Sequence, residues 1–306
     1  MSQAQGCEPS ASSADKTKVK LGGVPETLLW TLYNRAVEAR RPDRVLDDPL
    51  AVELLDRIDY PFETTFGRPT WSQAQALRAR RFDDEVRSYI AGHPGCTVVS
   101  LGEGLETQFW RLDDGAVRWL TVDLPEVVTL RERLLPGSPR LRAVGMSALD
   151  ERWMDEVDPS AGVIITAQGL FMYLDLEDVK HLIEACGRRF PGGALIFDAI
   201  PEWLSRTTTS DEAAVSRGYT VPPMLWGMDA DAAQAVWGAV PGIAEVSVLS
   251  LPRGRGAFFG ALLPMLHLIP PIRDKRLPMF PWVMIAARFS GVVGAAPDHR
   301  KDATHA

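Results

Sequence analysis

From Thr97 onward the chain alternates short apolar runs with amphipathic segments, and that alternation constrains its fold more than any single motif does. The runs "TVVSLG", "VRWLTVDL", "LRAVGM", "GVIITAQG" and "GALIFDAI" have the length and β-branched content of strands. Stretches such as "LPEVVTLRERLL" and "LEDVKHLIEACGRRF" lie between them, with apolar residues at helical spacing. Strands alternating with helices predict an α/β, doubly wound, mostly parallel sheet. Two further β-like runs, "IAEVSVLS" and "PWVMIAARF", are separated by a Pro-rich, Arg-bearing segment with no clear crossover helix. The sixth and seventh strands are therefore predicted antiparallel, as a hairpin.

The first strand ends in a turn. In "VVSLGEGLETQFW", Gly102-Glu103-Gly104 follows the strand and precedes a helical segment, an arrangement that exposes backbone N–H groups and leaves room for a nucleotide-like ligand. A dinucleotide fingerprint needs a third glycine three residues on, where this chain has Thr107, so the NAD reading weakens. Asp123 ends the second strand, 21 residues after Gly102, at the spacing of an acid that accepts ribose hydroxyls. The competing readings are a plain tight turn for the glycines and an N-cap of the helix starting at "LPEVV" for Asp123.

Ahead of the sheet, "VPETLLWTLYNRAVEARR" and "DDPLAVELLDRI" each place a proline in a first helical turn, the second behind a capping Asp48. A third helix, "TWSQAQALRARRFDDEVRSYIAG", carries Trp71, Gln75, Arg78, Phe82, Val86 and Tyr89 on one face. Arg78 thus sits in a mainly apolar stripe, where a guanidinium needs an anionic partner. Glu38 and Asp83 are the intramolecular candidates. The predicted organisation is a disordered arm over 1–18, a helical cap over 19–95, a core over 96–291 with insertions at about 201–230 and 251–280, and a tail over 292–306.

With 306 residues, 46% of them hydrophobic, the chain can bury a large core, and its net charge of −7 argues against a nucleic-acid partner. The three cysteines, Cys7, Cys96 and Cys186, form neither a disulfide framework nor a metal-ligand pattern. The polar N-terminus and the short, Pro-broken apolar stretches predict neither export nor membrane insertion, which points to the cytoplasm.

The blocks "VKLGGVPETLLWTLYNRAVEARRPDRVLDDPLA", "RARRFDDEV", "LGEGLETQFWRL", "TVDLPEVV", "SALDERWMDEV", "QGLFMYL" and "GALIFDAIP" occur in this order. Together they resemble the leucine carboxyl methyltransferase-like family, especially its tetracenomycin-type polyketide O-methyltransferases, over roughly residues 19–290. The resemblance implies the seven-stranded class I fold and S-adenosylmethionine (SAM) as cofactor, with S-adenosylhomocysteine as product. It further implies that Arg78 grips the SAM carboxylate, with Arg81 and Lys20 as weaker candidates. Leu124 would pack on adenine, and Ser147 and Ala148 would contact it. Gln168 stands where many members have glutamate near the methionine moiety, and Ser100 where many other class I enzymes carry an acid. The cofactor-binding set so implied is Arg78, Gly102, Glu103, Gly104, Asp123, Leu124, Ser147, Ala148 and Gln168.

The two insertions are predicted to build the acceptor pocket. Trp203, Tyr219, Met224 and Trp226 suit an apolar lid, with Arg206 and Arg217 as cationic candidates. Arg253, Arg255, Arg273, Lys275 and Arg276 stand against one acid, Asp274, over 251–280, which suggests an anionic substrate. A carboxylate is already ionised at neutral pH and needs no base to attack a methyl group in line. The expected activity is therefore methyl-ester formation on a small polyketide-type acid or a modified peptide C-terminus. Two alternatives stand beside it, a phenol O-methyltransferase with His267 as base and a SAM-binding regulatory protein without turnover.

Overall fold

In a computed structural model, which describes residues 16–210, 215–216, 219–262 and 282–291, seven strands form one sheet. They are β1 (Thr97–Leu101), β2 (Arg118–Asp123), β3 (Leu141–Gly145), β4 (Val163–Ala167), β5 (Ala194–Ala199), β6 (Ile243–Leu249) and β7 (Val283–Phe289). Their spatial order is β6-β7-β5-β4-β1-β2-β3. The pairs among β1 to β5 are all parallel. Because β7 lies between β5 and β6, antiparallel to both, it is the one reversed strand and β6 runs with the rest. The expected hairpin is thus a pairing of β6 and β7 with β7 inserted inside the sheet.

The period of two along each strand sends alternate residues to opposite faces. Val99, Leu120, Ile165 and Phe197 pack with Val179, Leu182 and Ile183 of α7 (Leu176–Arg189). Val98, Trp119, Ile164 and Ile196 pack with Phe82, Val86 and Ile90 of α4 (Ser72–Gly92). Both faces are covered, as a parallel sheet requires, and each fully buried aliphatic or aromatic side chain contributes ~1.5–3 kcal/mol of transfer free energy.

The helical cap has its own core. Asp48 caps α2 (Pro49–Arg57) by accepting from Ala51 N–H, with Pro49 at the first helical position. Leu29, Leu32 and Ala36 of α1 (Thr27–Ala39), Leu54 of α2 and Phe62 and Phe66 of α3 (Phe62–Phe66) pack together. They also contact Val127, Leu130 and Leu134 of α6 (Pro125–Leu134) and Leu105 of the glycine turn, which leads into the short α5 (Gln108–Leu112). The cap is seated directly on the ligand-facing edge of the sheet. One boundary differs from expectation. Thr17 and Lys18 pair with Ile58 and Asp59, so structure begins inside the predicted 1–18 arm. The first insertion opens with a helix, α8 (Glu202–Thr209), and β6 is preceded by another, α9 (Ala230–Gly238). No helix among the described residues is long and apolar enough to cross a membrane.

Candidate functional site

In a doubly wound sheet the ligand crevice lies beyond the carboxyl ends of the strands, where the strand order reverses. Here the reversal falls at β1, between β2 and β4. A cavity of about 780 Å³ opens at that point, walled by the ends of β1 to β5, by α1 and α3, and by the first insertion. Its volume is in the upper part of the roughly 300–1,000 Å³ range of ligand sites.

Gly102 and Gly104 take φ of 60° and 55°, which an L side chain rarely adopts. A Cβ at Gly102 would stand 2.8 Å from Leu170 Cδ1, and one at Gly104 3.0 Å from Leu28 Cβ. The turn is pinned from behind. Arg131 of α6 donates to the carbonyls of Gly104 (2.6 Å) and Glu106 (3.0 Å) and pairs with Glu103 at 3.0 Å. The Glu103 carboxylate also accepts from Trp119 Nε1 and Thr121 Oγ1, so its side chain is committed to the scaffold and contributes no free carboxylate to the cavity. Thr107, where the third glycine would be, donates to Asp48 at 2.7 Å and ties the turn to the cap.

Asp123 sits at the lip. Its Oδ2 accepts from Gly104 N–H (2.7 Å) and its Oδ1 from Leu124 N–H (2.8 Å), which leaves lone pairs for a diol. The capping alternative fails, because Leu124 occupies the N-cap position of α6 and Asp123 bonds no helix-interior N–H. Burial raises the Asp123 pKa, against the pull of its two backbone donors. Leu124 is 38% exposed, and Ser147 and Ala148 line the adjoining wall.

Arg78 is buried on the cavity wall, with neither predicted acid as partner. Asp83 is taken by Arg111 (2.7 Å) and Glu38 by Arg255 (2.6 Å). Arg78 Nη1 instead lies 3.4 Å from Oδ2 of Asp198 at the end of β5, and its guanidinium stacks over Trp282 at 5.1 Å. Its Nε has no hydrogen-bond partner among the described residues. Among the described residues this five-donor fork makes one loose ion pair and leaves Nε without a partner, so it can take a ligand carboxylate. Gln168 lines the same region and donates to Glu106 at 3.4 Å. Burial pushes Glu106 up, but Arg35 (2.8 Å) and Arg111 (2.8 Å) outweigh it and hold its carboxyl at about 2. Sequence reasoning missed Glu106, Arg35 and Asp198. Arg35 has the same signal that marked Arg78, an arginine among apolar residues of a helix.

The rest of the cavity carries Phe66, Trp71, Trp203, Tyr219 and Met224 on its wall, with the polar Thr27, Thr31, Asn34, Thr65, Arg68 and Thr70 among them. Trp203 and Tyr219, both from the first insertion, are on this wall. Trp226 is not, since it is buried with its Nε1 donating to Leu174 O. The cationic candidates also fall away. Arg206 is exposed and pairs with Glu202, one helical turn back. Arg255 clamps Glu38 and Asp43. Arg253 and Lys20 are exposed and off the cavity wall, and Arg81 pairs with Glu85. Arg217, His267, Arg273, Asp274, Lys275 and Arg276 lie outside the described residues.

The donor set fits SAM: an arginine fork for the carboxylate, an acid for the ribose, glycines where a backbone must approach, and an exposed leucine for a flat base. Comparison with known proteins agrees. The leucine carboxyl methyltransferase family model matches residues 29–187. The chain is 36% identical over 211 residues to the tetracenomycin polyketide synthesis O-methyltransferase TcmP of Streptomyces glaucescens, covering 69% of this chain and 77% of that one. It is 30% identical over 210 residues to the S-adenosyl-L-methionine-dependent methyltransferase dpfgK of Gibberella zeae, covering 62% of this chain and 70% of that one.

Proposed function

The chain belongs to the leucine carboxyl methyltransferase family and is a SAM-dependent methyltransferase, and from that premise we propose that it is an O-methyltransferase esterifying a carboxylate of a small aromatic, polyketide-type acid. The observation that carries this reading is the continuity of one cavity from the Gly102–Asp123–Arg78 end to the aromatic walls of the cap and first insertion. Cofactor and a flat apolar acceptor can share it, out of water.

When bound, SAM supplies a methyl group on an electrophilic sulfonium. Arg78 would hold its carboxylate, Asp123 its ribose, and Leu124, Ser147 and Ala148 its base. Gln168 and Glu106 would face its methionine portion, and the glycine turn would let the backbone come close. For the acceptor, the aromatic side chains supply alignment and exclude water, which are the main demands of an in-line transfer to an ionised oxygen. The choice of a carboxylate over a phenol is supported by the two tyrosine hydroxyls among the described wall residues. Burial pushes the Tyr173 hydroxyl up to about 12 and raises Tyr219 further, so both are donors at neutral pH and neither serves as a base. A phenol acceptor would need a base, whereas a carboxylate needs none.

The test uses SAM labelled in its methyl group with matched aromatic carboxylic acids and phenols. A methyl ester releases its label as methanol in mild alkali, whereas a methyl ether does not. Alkali-labile label on the acids supports the reading. Stable label on the phenols alone transfers the assignment to hydroxyl methylation, and tight SAM binding with no product from either set identifies a binding protein without turnover.

A further inference from the structure

Three buried polar atoms without a hydrogen-bond partner among the described residues belong to cavity-wall residues: Arg78 Nε, Asn34 Oδ1 and the Tyr219 hydroxyl. Arg78 is accounted for by the cofactor, and Asn34 already donates through Nδ2 to Trp30 O. Tyr219 has no such account. It lies on the two-residue ladder Val215–Ser216/Tyr219–Thr220 of the first insertion, and its ring packs edge-on against Phe66 of α3 at 5.0 Å. The polar groups facing the hydroxyl are Tyr173, Glu26 and Tyr60. Tyr60 donates to Glu26 at 2.7 Å, and none of the three makes a hydrogen bond to the Tyr219 hydroxyl.

A buried hydroxyl is costly to leave unpaired, and folded proteins rarely do so without a reason. Packing against Phe66 fixes the ring at one edge, so the hydroxyl cannot swing out to water without losing that contact. No described residue completes the hydrogen bond of the Tyr219 hydroxyl, which leaves its donor available to a ligand in the cavity.

We propose that Tyr219 selects the acceptor by donating its hydroxyl hydrogen to a carbonyl or ring oxygen that the acceptor carries away from the methylated group. This rests on the reading that the aromatic half of the cavity holds the acceptor. The favoured class is then a flat polycyclic acid bearing an oxygen function, and an acid of the same shape without that oxygen binds less well, because it buries the Tyr219 hydroxyl unpaired. Arg78 and Asp123 are not involved, so affinity for the cofactor is independent of Tyr219.

The experiment compares anthraquinone-2-carboxylate, which has ring carbonyls, with anthracene-2-carboxylate, which has none. Binding of each to the S-adenosylhomocysteine-loaded protein is measured by calorimetry for wild type and Tyr219→Phe. Wild type is expected to prefer the quinone by about tenfold, the scale of one net hydrogen bond plus an unpaired group avoided. Tyr219→Phe is expected to lose that preference by weakening the quinone alone, with S-adenosylhomocysteine affinity unchanged. Equal affinities in wild type, binding of neither acid, an undiminished preference in Tyr219→Phe or a parallel loss of S-adenosylhomocysteine affinity would each overturn the proposal. Failure of the carboxylate reading is separate. It would show as binding of the quinone acid without alkali-labile product, with the Tyr219 preference intact.

Discussion

Substituting Arg78 by lysine keeps the charge beside Asp198 but removes the planar fork. Among the described residues Arg78 makes one 3.4 Å contact to Asp198, stacks on Trp282 and leaves Nε without a hydrogen-bond partner, so donors remain for the carboxylate it is proposed to hold. A lysine ammonium has to choose between Asp198 and the SAM carboxylate, and it cannot make the two-point contact. Hydrogen bonds to charged groups contribute ~1.5–3 kcal/mol net, so SAM affinity should fall by about 10- to 150-fold. Calorimetry with SAM and with decarboxylated SAM isolates the interaction. Wild type should bind the decarboxylated compound more weakly by a similar factor. Arg78→Lys should discriminate much less, because substitution and truncation remove the same contact and are non-additive. The same discrimination in both proteins would refute the assignment and leave Arg78 as a structural partner of Asp198.

Two further outcomes follow from the geometry of the turn. Gly102→Ala places a Cβ 2.8 Å from Leu170 at φ 60°, so it should destabilise the fold by ~1–3 kcal/mol in urea denaturation and weaken SAM binding; an unchanged midpoint would show that the turn relaxes freely. Glu106 is held at about 2, below its ordinary value of ~4.3, so its ion pairs stabilise the fold above that ordinary value and are lost as pH falls through about 2. Acid titration of stability should therefore be less steep below about pH 4 in Glu106→Gln than in wild type, and parallel curves would remove Glu106 from that linkage.

The sheet was legible because buried parallel strands must be near-continuous apolar runs, and the glycine turn and Asp123 because local spacing fixes them relative to a strand end. What escaped were pairings set by tertiary approach. Arg255 and Glu38 are 217 positions apart, so charge content at 251–280 could not reveal that this arginine is bound to the cap and not offered to a substrate. The same holds for Arg78, whose partner Asp198 reads in sequence as one acid at the end of "ALIFDA". The helix α8 was hidden by "RTTT", since β-branched threonines are weak helix formers. Here Thr207 and Thr209 turn their hydroxyls back to the carbonyls of Trp203 and Ser205, so they remain within the helix. The insertion of β7 between β5 and β6 left no local trace, because register in an edge pair depends on neighbours far away in sequence.

Transfer to an already ionised carboxylate, for which the cavity wall need supply no base, is tested most directly by the pH dependence of kcat/KM with an aromatic acid that the protein methylates. A carboxylate with pKa near 4 is ionised throughout, so the profile should be flat from about pH 6 to 9. A fall on acidification through a midpoint near ~6.5, the signature of a histidine base, would contradict it.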